Sequence, residues 1–112
     1  MPPARTREYL RPLTPDDYLR YRITTDQGQV VDFVLQYETN VGGHFLPVVR
    51  YDRAHGYLHR DTLDSQGNPV DKQPVPMGPG MSLKQALADA DADLRSNWQR
   101  YRRQFLRPPG RP

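Results

Sequence analysis

A chain of 112 residues with 12 prolines, a hydrophobic fraction of 36% and a mean hydropathy of −0.88 has room for one small domain, and no run in it approaches membrane-spanning length. It holds no cysteine, which excludes disulfides, thiolate zinc sites and a thiol nucleophile. The net charge of +3 rests on arginine, since only Lys72 and Lys84 break that bias among 16 basic residues, and a guanidinium fork suits phosphate or carboxylate partners.

Residues 1–15 carry Pro2, Pro3, Pro12 and Pro15 with Arg5, Arg7 and Arg11, and they read as a flexible Pro/Arg-rich arm that can lie on the domain through Tyr9, Leu10 and Leu13. Residues 16–107 read as a single α+β domain. Leu19, Tyr21 and Ile23 alternate with Arg20, Arg22 and Thr24, the pattern of a half-buried strand over 18–25. Asp26-Gln27-Gly28 supplies a turn. Val31, Phe33, Leu35 and Tyr37 then mark a second strand and a hairpin.

Asn40 to Gly43 is the next turn, and a third strand follows over 44–51. Pro47 lies inside it and cannot donate to a ladder, so this position is expected at an edge or a bulge. Gly56 marks a sharp bend before a fourth strand over 57–63. A short fifth strand is expected over 70–75. Residues 74–81, with Pro74, Pro76, Gly78, Pro79 and Gly80, form a linker.

The strongest periodicity begins at Ser82. Ser82-Leu83-Lys84-Gln85 has the pattern of a capping box. Leu83, Leu87, Ala90, Leu94, Trp98, Tyr101 and Phe105 follow at helical spacing, predicting a helix over 82–106 that Pro108-Pro109 ends. The expected fold is therefore α+β: an antiparallel meander of four to five strands within 18–75, with one long C-terminal helix packed across it. Residues 108–112 are expected as a disordered tail. The helix stripe is too apolar to face water, so the sheet or a second copy of the chain must cover it.

Chemistry concentrates in residues 50–61. Asp52, His55, His59 and Asp61 lie within ten positions, with Arg50, Arg53 and Arg60 among them. Imidazoles beside carboxylates can move protons near neutral pH, and arginines can hold a phosphate while charge develops. His55 and His59 are the candidate acid–base pair, Asp52 or Asp61 the orienting carboxylate. Such a set could cleave RNA through its own 2′-hydroxyl with neither metal nor cofactor. Two other readings stay open: the histidines and a carboxylate ligate a divalent metal, or Asp52 caps a turn and the histidines make ordinary buried hydrogen bonds.

On the helix, Arg100 and Arg103 share a face and, with Trp98 and Tyr101 nearby, can follow a phosphate backbone. The alternative makes the aromatics core and the arginines a solvated end. A compositional cause also accounts for the arginine bias, because Arg and Pro share GC-rich codons. Asp89, Asp91 and Asp93 read as a solvated acidic face. Glycine-rich phosphate loops and serine-nucleophile motifs are absent.

The run Arg50-Tyr51-Asp52-Arg53-Ala54-His55, then His59 and a closing helix, resembles small bacterial families and more distantly the TumE-like toxins of toxin–antitoxin pairs. That resemblance implies a sheet with a C-terminal helix, a bacterial source and a helix-turn-helix antitoxin as neighbour. This chain departs from the pattern at Gly56 and in its longer C-terminal segment. The functional expectation is a small basic cytoplasmic protein that engages RNA or another polyanion, in the sharper form a ribonuclease-like toxin. The rival expectation is a non-catalytic interaction module, an accessory subunit of a toxin–antitoxin or defence complex, with an antitoxin-like partner or a homodimer formed through the helix and no membrane contact.

Overall fold

The computed structural model describes residues 3–107. Its elements run β1 (Arg5–Thr14), β2 (Asp17–Asp26), β3 (Gln29–Val41), β4 (His44–Asp52), β5 (His59–Leu63), β6 (Pro69–Pro74) and α1 (Leu83–Leu106). The strands form one sheet in sequence order, each antiparallel to the next. The class is α+β as expected, but the sheet has six strands rather than four to five. The additional strand is β1, which occupies the segment expected as a flexible arm. Its residues from Arg5 to Pro12 are exposed on both faces, so no alternation of apolar and polar residues announces it. Pairing with β2 holds it, helped by the Thr6–Thr24 hydroxyl contact at 2.9 Å and the Tyr9–Tyr21 ring stack at 4.6 Å. The tail expected at 108–112 lies outside the described residues.

Two tight turns set the meander. Gln27 and Gly28 both take positive φ, 51° and 77°, as a two-residue hairpin of right-handed twist requires. Gly42 and Gly43 do the same at 61° and 91° between β3 and β4. Pro47 lies on β4 before the stretch that pairs with β5, which begins at Val49, and the expected irregularity is present there. Tyr37 pairs with Val49 and Glu38 with Pro47, so Val48 is the extra residue of a bulge.

Directly paired residues on antiparallel strands share a face. Tyr9, Tyr21, Leu35, Tyr51 and Arg60 are paired in turn and form one row across β1 to β5. This is the face that receives α1, which lies chiefly over β3 and β4. Ala86, Ala90, Leu94 and Tyr101 are buried against it, with Leu83, Leu87, Trp98 and Phe105 partly so. The two alanines bring the helix close to the sheet, while Leu94, wholly buried, contributes about 1.5–3 kcal/mol. Trp98 meets Tyr37 edge-on at 6.0 Å. The helix stripe is thus covered by the chain's own sheet.

The capping box forms by half. Ser82 Oγ accepts the Gln85 N–H at 3.1 Å, but the Gln85 side chain donates to Asp89 Oδ1 at 2.9 Å instead of returning to Ser82. The acidic face is not solvated as expected. Asp89 is exposed, but Asp91 and Asp93 flank the buried stripe on its two sides and accept tyrosine hydroxyls: Tyr21 of the sheet gives to Asp91, and Tyr51 of the sheet and Tyr101 of the helix itself give to Asp93. Burial, then these bonds to carboxylates, push all three phenols above the ordinary tyrosine value.

Candidate functional site

The His–Asp cluster is built where β4 hands over to β5. Asp52 closes β4 and His59 opens β5, and the register sets them opposite each other. His59 Nε2 lies 2.9 Å from Asp52 Oδ1 and 3.6 Å from Asp61 Oδ2. The intervening loop turns on Gly56, whose φ of 83° disfavours any side chain and whose N–H donates to the Arg53 carbonyl at 3.0 Å. Asp52 Oδ1 also accepts the Ala54 N–H at 3.1 Å. The loop carries His55 back over His59, their rings 5.6 Å apart and 26° from parallel, with Tyr57 on the same ring at 5.3 Å. His59 Nδ1 meets the Tyr57 carbonyl at 3.2 Å.

All four predicted acid–base residues therefore come together. The set is closed: the His59 side chain is 1% exposed, Asp61 7% and Asp52 15%, so His55 alone of the four is open to solvent. The cluster projects to the face opposite α1, because His59 and Asp61 alternate with Arg60.

That alternation separates Arg60 from it, and the other arginines are engaged elsewhere. Arg60 enters the helix seam, with Nη1 3.3 Å from the Tyr101 hydroxyl and 3.9 Å from Asp93. Burial disfavours its charge, but Tyr101, Tyr51 and Asp93 outweigh that and hold its pKa above the usual value. Arg50 is paired with Asp61 across the strands, yet its Nε donates to Gln36 at 2.7 Å. Arg53 donates to the Val31 carbonyl at 2.9 Å. Arg100 stacks over the Tyr101 ring at 4.8 Å, and Arg103 lines a cleft with Trp98, Arg102 and Asp17. These five do not converge on the histidines.

Two features went unread in the sequence. The first is Asp17, buried at the start of β2, which accepts hydroxyls from Thr14 at 2.6 Å, Tyr37 at 2.6 Å and Thr39 at 2.7 Å, with Arg102 3.7 Å away. Burial alone raises its pKa; the three hydrogen bonds and the Arg102 charge together reverse that and hold it below the ordinary carboxylate value. Thr14 is its one local partner; the others lie on β3 and α1, so no sequence pattern marks it.

The second is the row Arg5, Arg7, Tyr9 and Arg11. Pairing with Thr25, Ile23, Tyr21 and Leu19 sets all four on the α1 side of β1, beyond the strands that α1 covers. Tyr9 stacks within 9° of parallel on Tyr21 and keeps its outer face exposed, while Arg11 sits 5.7 Å from the Tyr21 ring centre. Arg5 and Arg7 have no acidic partner among the described residues. Where β1 approaches the helix, Lys84 and Arg95 form the far wall, with Arg95 bound to Asp91 at 3.0 Å. The signal was present at positions 5, 7, 9 and 11, hidden because a polar strand resembles an arm.

Among the described residues, no helix is long and apolar enough to cross a membrane. A family model, Domain of unknown function (DUF7718), matches residues 4–110. No curated protein and no solved structure matches the chain.

Proposed function

We propose that this chain, which belongs to the DUF7718 family, is a binding module for single-stranded RNA that engages its ligand along the α1 side of β1. The observation that carries this is the exposed row Arg5, Arg7, Tyr9, Arg11 on a strand with neither face covered. Guanidinium groups at every second position offer bidentate contacts to phosphates, and the ring between them, already braced on Tyr21, offers a base a stacking surface at small entropic cost. Lys84 extends the positive potential across the trough, beside the Arg95–Asp91 pair.

The test is fluorescence anisotropy of a labelled single-stranded RNA of about twelve nucleotides at low and raised salt. Arg7→Glu/Arg11→Glu is expected to weaken binding by at least about tenfold and to flatten the salt dependence, and Tyr9→Ala to weaken it with the slope retained. Wild-type affinity in both variants overturns the reading. Binding that is equally strong to poly-glutamate, with no loss in Tyr9→Ala, moves it to an acidic protein partner.

A second reading is favoured by the His55–His59 stack beside Asp52: a ribonuclease-like activity of the kind the TumE-like resemblance implies. His55, the exposed member, then exchanges the proton, while His59 and Asp52 position it. RNA that stays intact with wild-type protein, or is degraded equally by His55→Ala, ends that reading and leaves the binding module standing.

A further inference from the structure

The geometry points to a divalent transition-metal site of the zinc class formed by Asp52, His59 and Asp61. The three ligand atoms, one from each residue, lie within 4.8 Å of one another. Around a tetrahedral ion with bonds near 2.1 Å, ligand atoms sit about 3.4 Å apart, so the observed separations of 2.9 and 3.6 Å to His59 Nε2 already bracket that spacing.

Three observations favour an ion over an ordinary ion pair. First, His59 Nδ1 meets the Tyr57 carbonyl at 3.2 Å, an anchor that holds the ring with Nε2 presented to the two carboxylates, the orientation of a metal-ligating imidazole. Second, two carboxylates converge in a place where one imidazolium neutralises only one of them. Two cations are paired across from Asp61, Arg50 on β4 and Lys72 on β6, and neither forms an ion pair with it; Arg50 Nε donates to Gln36. Third, Asp61 is 5% exposed and its Oδ1 is buried with no hydrogen-bond partner among the described residues. An unsatisfied buried carboxylate oxygen is costly, and a cation that takes Asp61 through both of its oxygens satisfies it.

One imidazole with two carboxylates is a donor set for zinc or its first-row neighbours rather than for calcium, which prefers an all-oxygen shell. Three protein ligands leave a fourth position for water or a further ligand, and exposed His55 stacks on the His59 ring beside the site. The site lies on the face opposite the β1 trough and stands independently of RNA binding.

The experiment is isothermal titration of zinc sulfate into the metal-stripped full chain, with thermal unfolding in parallel. One equivalent is expected to bind and to raise Tm. Asp61→Asn and Asp52→Asn, close in shape to the native residues, are expected to lose both effects, and His44→Ala, on the distant β3–β4 turn, to keep them. In wild-type protein alone, cobalt is expected to give a visible ligand-field spectrum and to shift the His59 ring signals in NMR, a readout that does not depend on any variant folding. No zinc binding by wild type, equal binding in Asp61→Asn, loss of binding in His44→Ala, or His59 signals unmoved by cobalt each overturns the site.

Discussion

Tyr51 on β4 donates its hydroxyl to Asp93 Oδ2 on α1 at 2.5 Å. The same carboxylate accepts Tyr101 at 2.8 Å on Oδ2 and Asn97 at 2.8 Å on Oδ1, with Arg60 3.9 Å away. Tyr21 and Asp91 repeat the device on the other flank of the helix. The helix is thus fastened along both sides of its apolar stripe by charge-assisted bonds in a largely dry seam, where each is worth more than at an open surface.

Removing that carboxylate should therefore cost more than removing one hydroxyl. Asp93→Ala is expected to lower stability by about 2–3 kcal/mol and Tyr51→Phe by about 1 kcal/mol, read from urea midpoints. The double variant is expected to fall short of the sum by more than about 0.5 kcal/mol. Strict additivity would mean the pair is not coupled.

Acid should loosen the β2 end of the fold. Asp17 and Glu38 both have folded pKa values below their ordinary 3.8 and 4.5. A lowered folded value means the unfolded chain binds protons first, so their contribution is fully present above about pH 4.5 and is lost as pH falls through the folded values. Urea midpoints between pH 7 and 2 are expected to drop in wild type, and Asp17→Asn is expected to be less stable at pH 7 with a shallower acid slope. An unchanged slope in that variant removes Asp17 from the account.

Alkali should act through the tyrosines. Tyr21, Tyr37, Tyr51 and Tyr101 all have folded values raised above 10.0, by burial first and by bonds to Asp91, Asp17 or Asp93 second. Their contribution is complete below pH 10 and is lost as pH rises toward the folded values, because the unfolded chain then releases protons that the fold retains. Absorbance of tyrosinate against pH is expected to show a late, cooperative step coincident with loss of helix by circular dichroism. Simple titration near pH 10 with the helix intact contradicts it.

Gly56→Ala tests the loop over the cluster. No atom stands within 4 Å of an added Cβ, so the penalty comes from the positive φ alone, about 1 kcal/mol. The ring signals of His55 are expected to move in NMR as its stack on His59 loosens, with His44 unchanged. Wild-type stability together with unmoved His55 signals would show that the turn does not depend on the left-handed geometry.

The residue pattern carried much of the fold, for reasons that can be located. Alternation through Leu19, Tyr21 and Ile23, and again through Phe33, Leu35 and Tyr37, survives in the structure because these positions share the core-facing side, while Arg20 and Arg22 between them are exposed and Val34 and Gln36 half-buried. The helix was legible from Ser82 and from the spacing of Ala90, Leu94 and Tyr101. β1 was not, since a strand exposed on both faces has no hydrophobic period to read. The convergence of Asp52, His55, His59 and Asp61 was legible because all four lie on one hairpin, where closeness in sequence becomes closeness in space.

By itself, then, the sequence determined the local quantities: where strands alternate, where glycine must turn the chain, where the helix begins, and that imidazoles and carboxylates crowd one hairpin. The tertiary structure alone decided which face each side chain serves. Pairing register sent Arg60 into the helix seam and His59 to the opposite face, seated Asp91 and Asp93 on tyrosines instead of in water, and assembled Asp17 from partners on three elements. These outcomes depend on contacts between segments distant in the chain, and no local spacing encodes the burial that gives such contacts their strength.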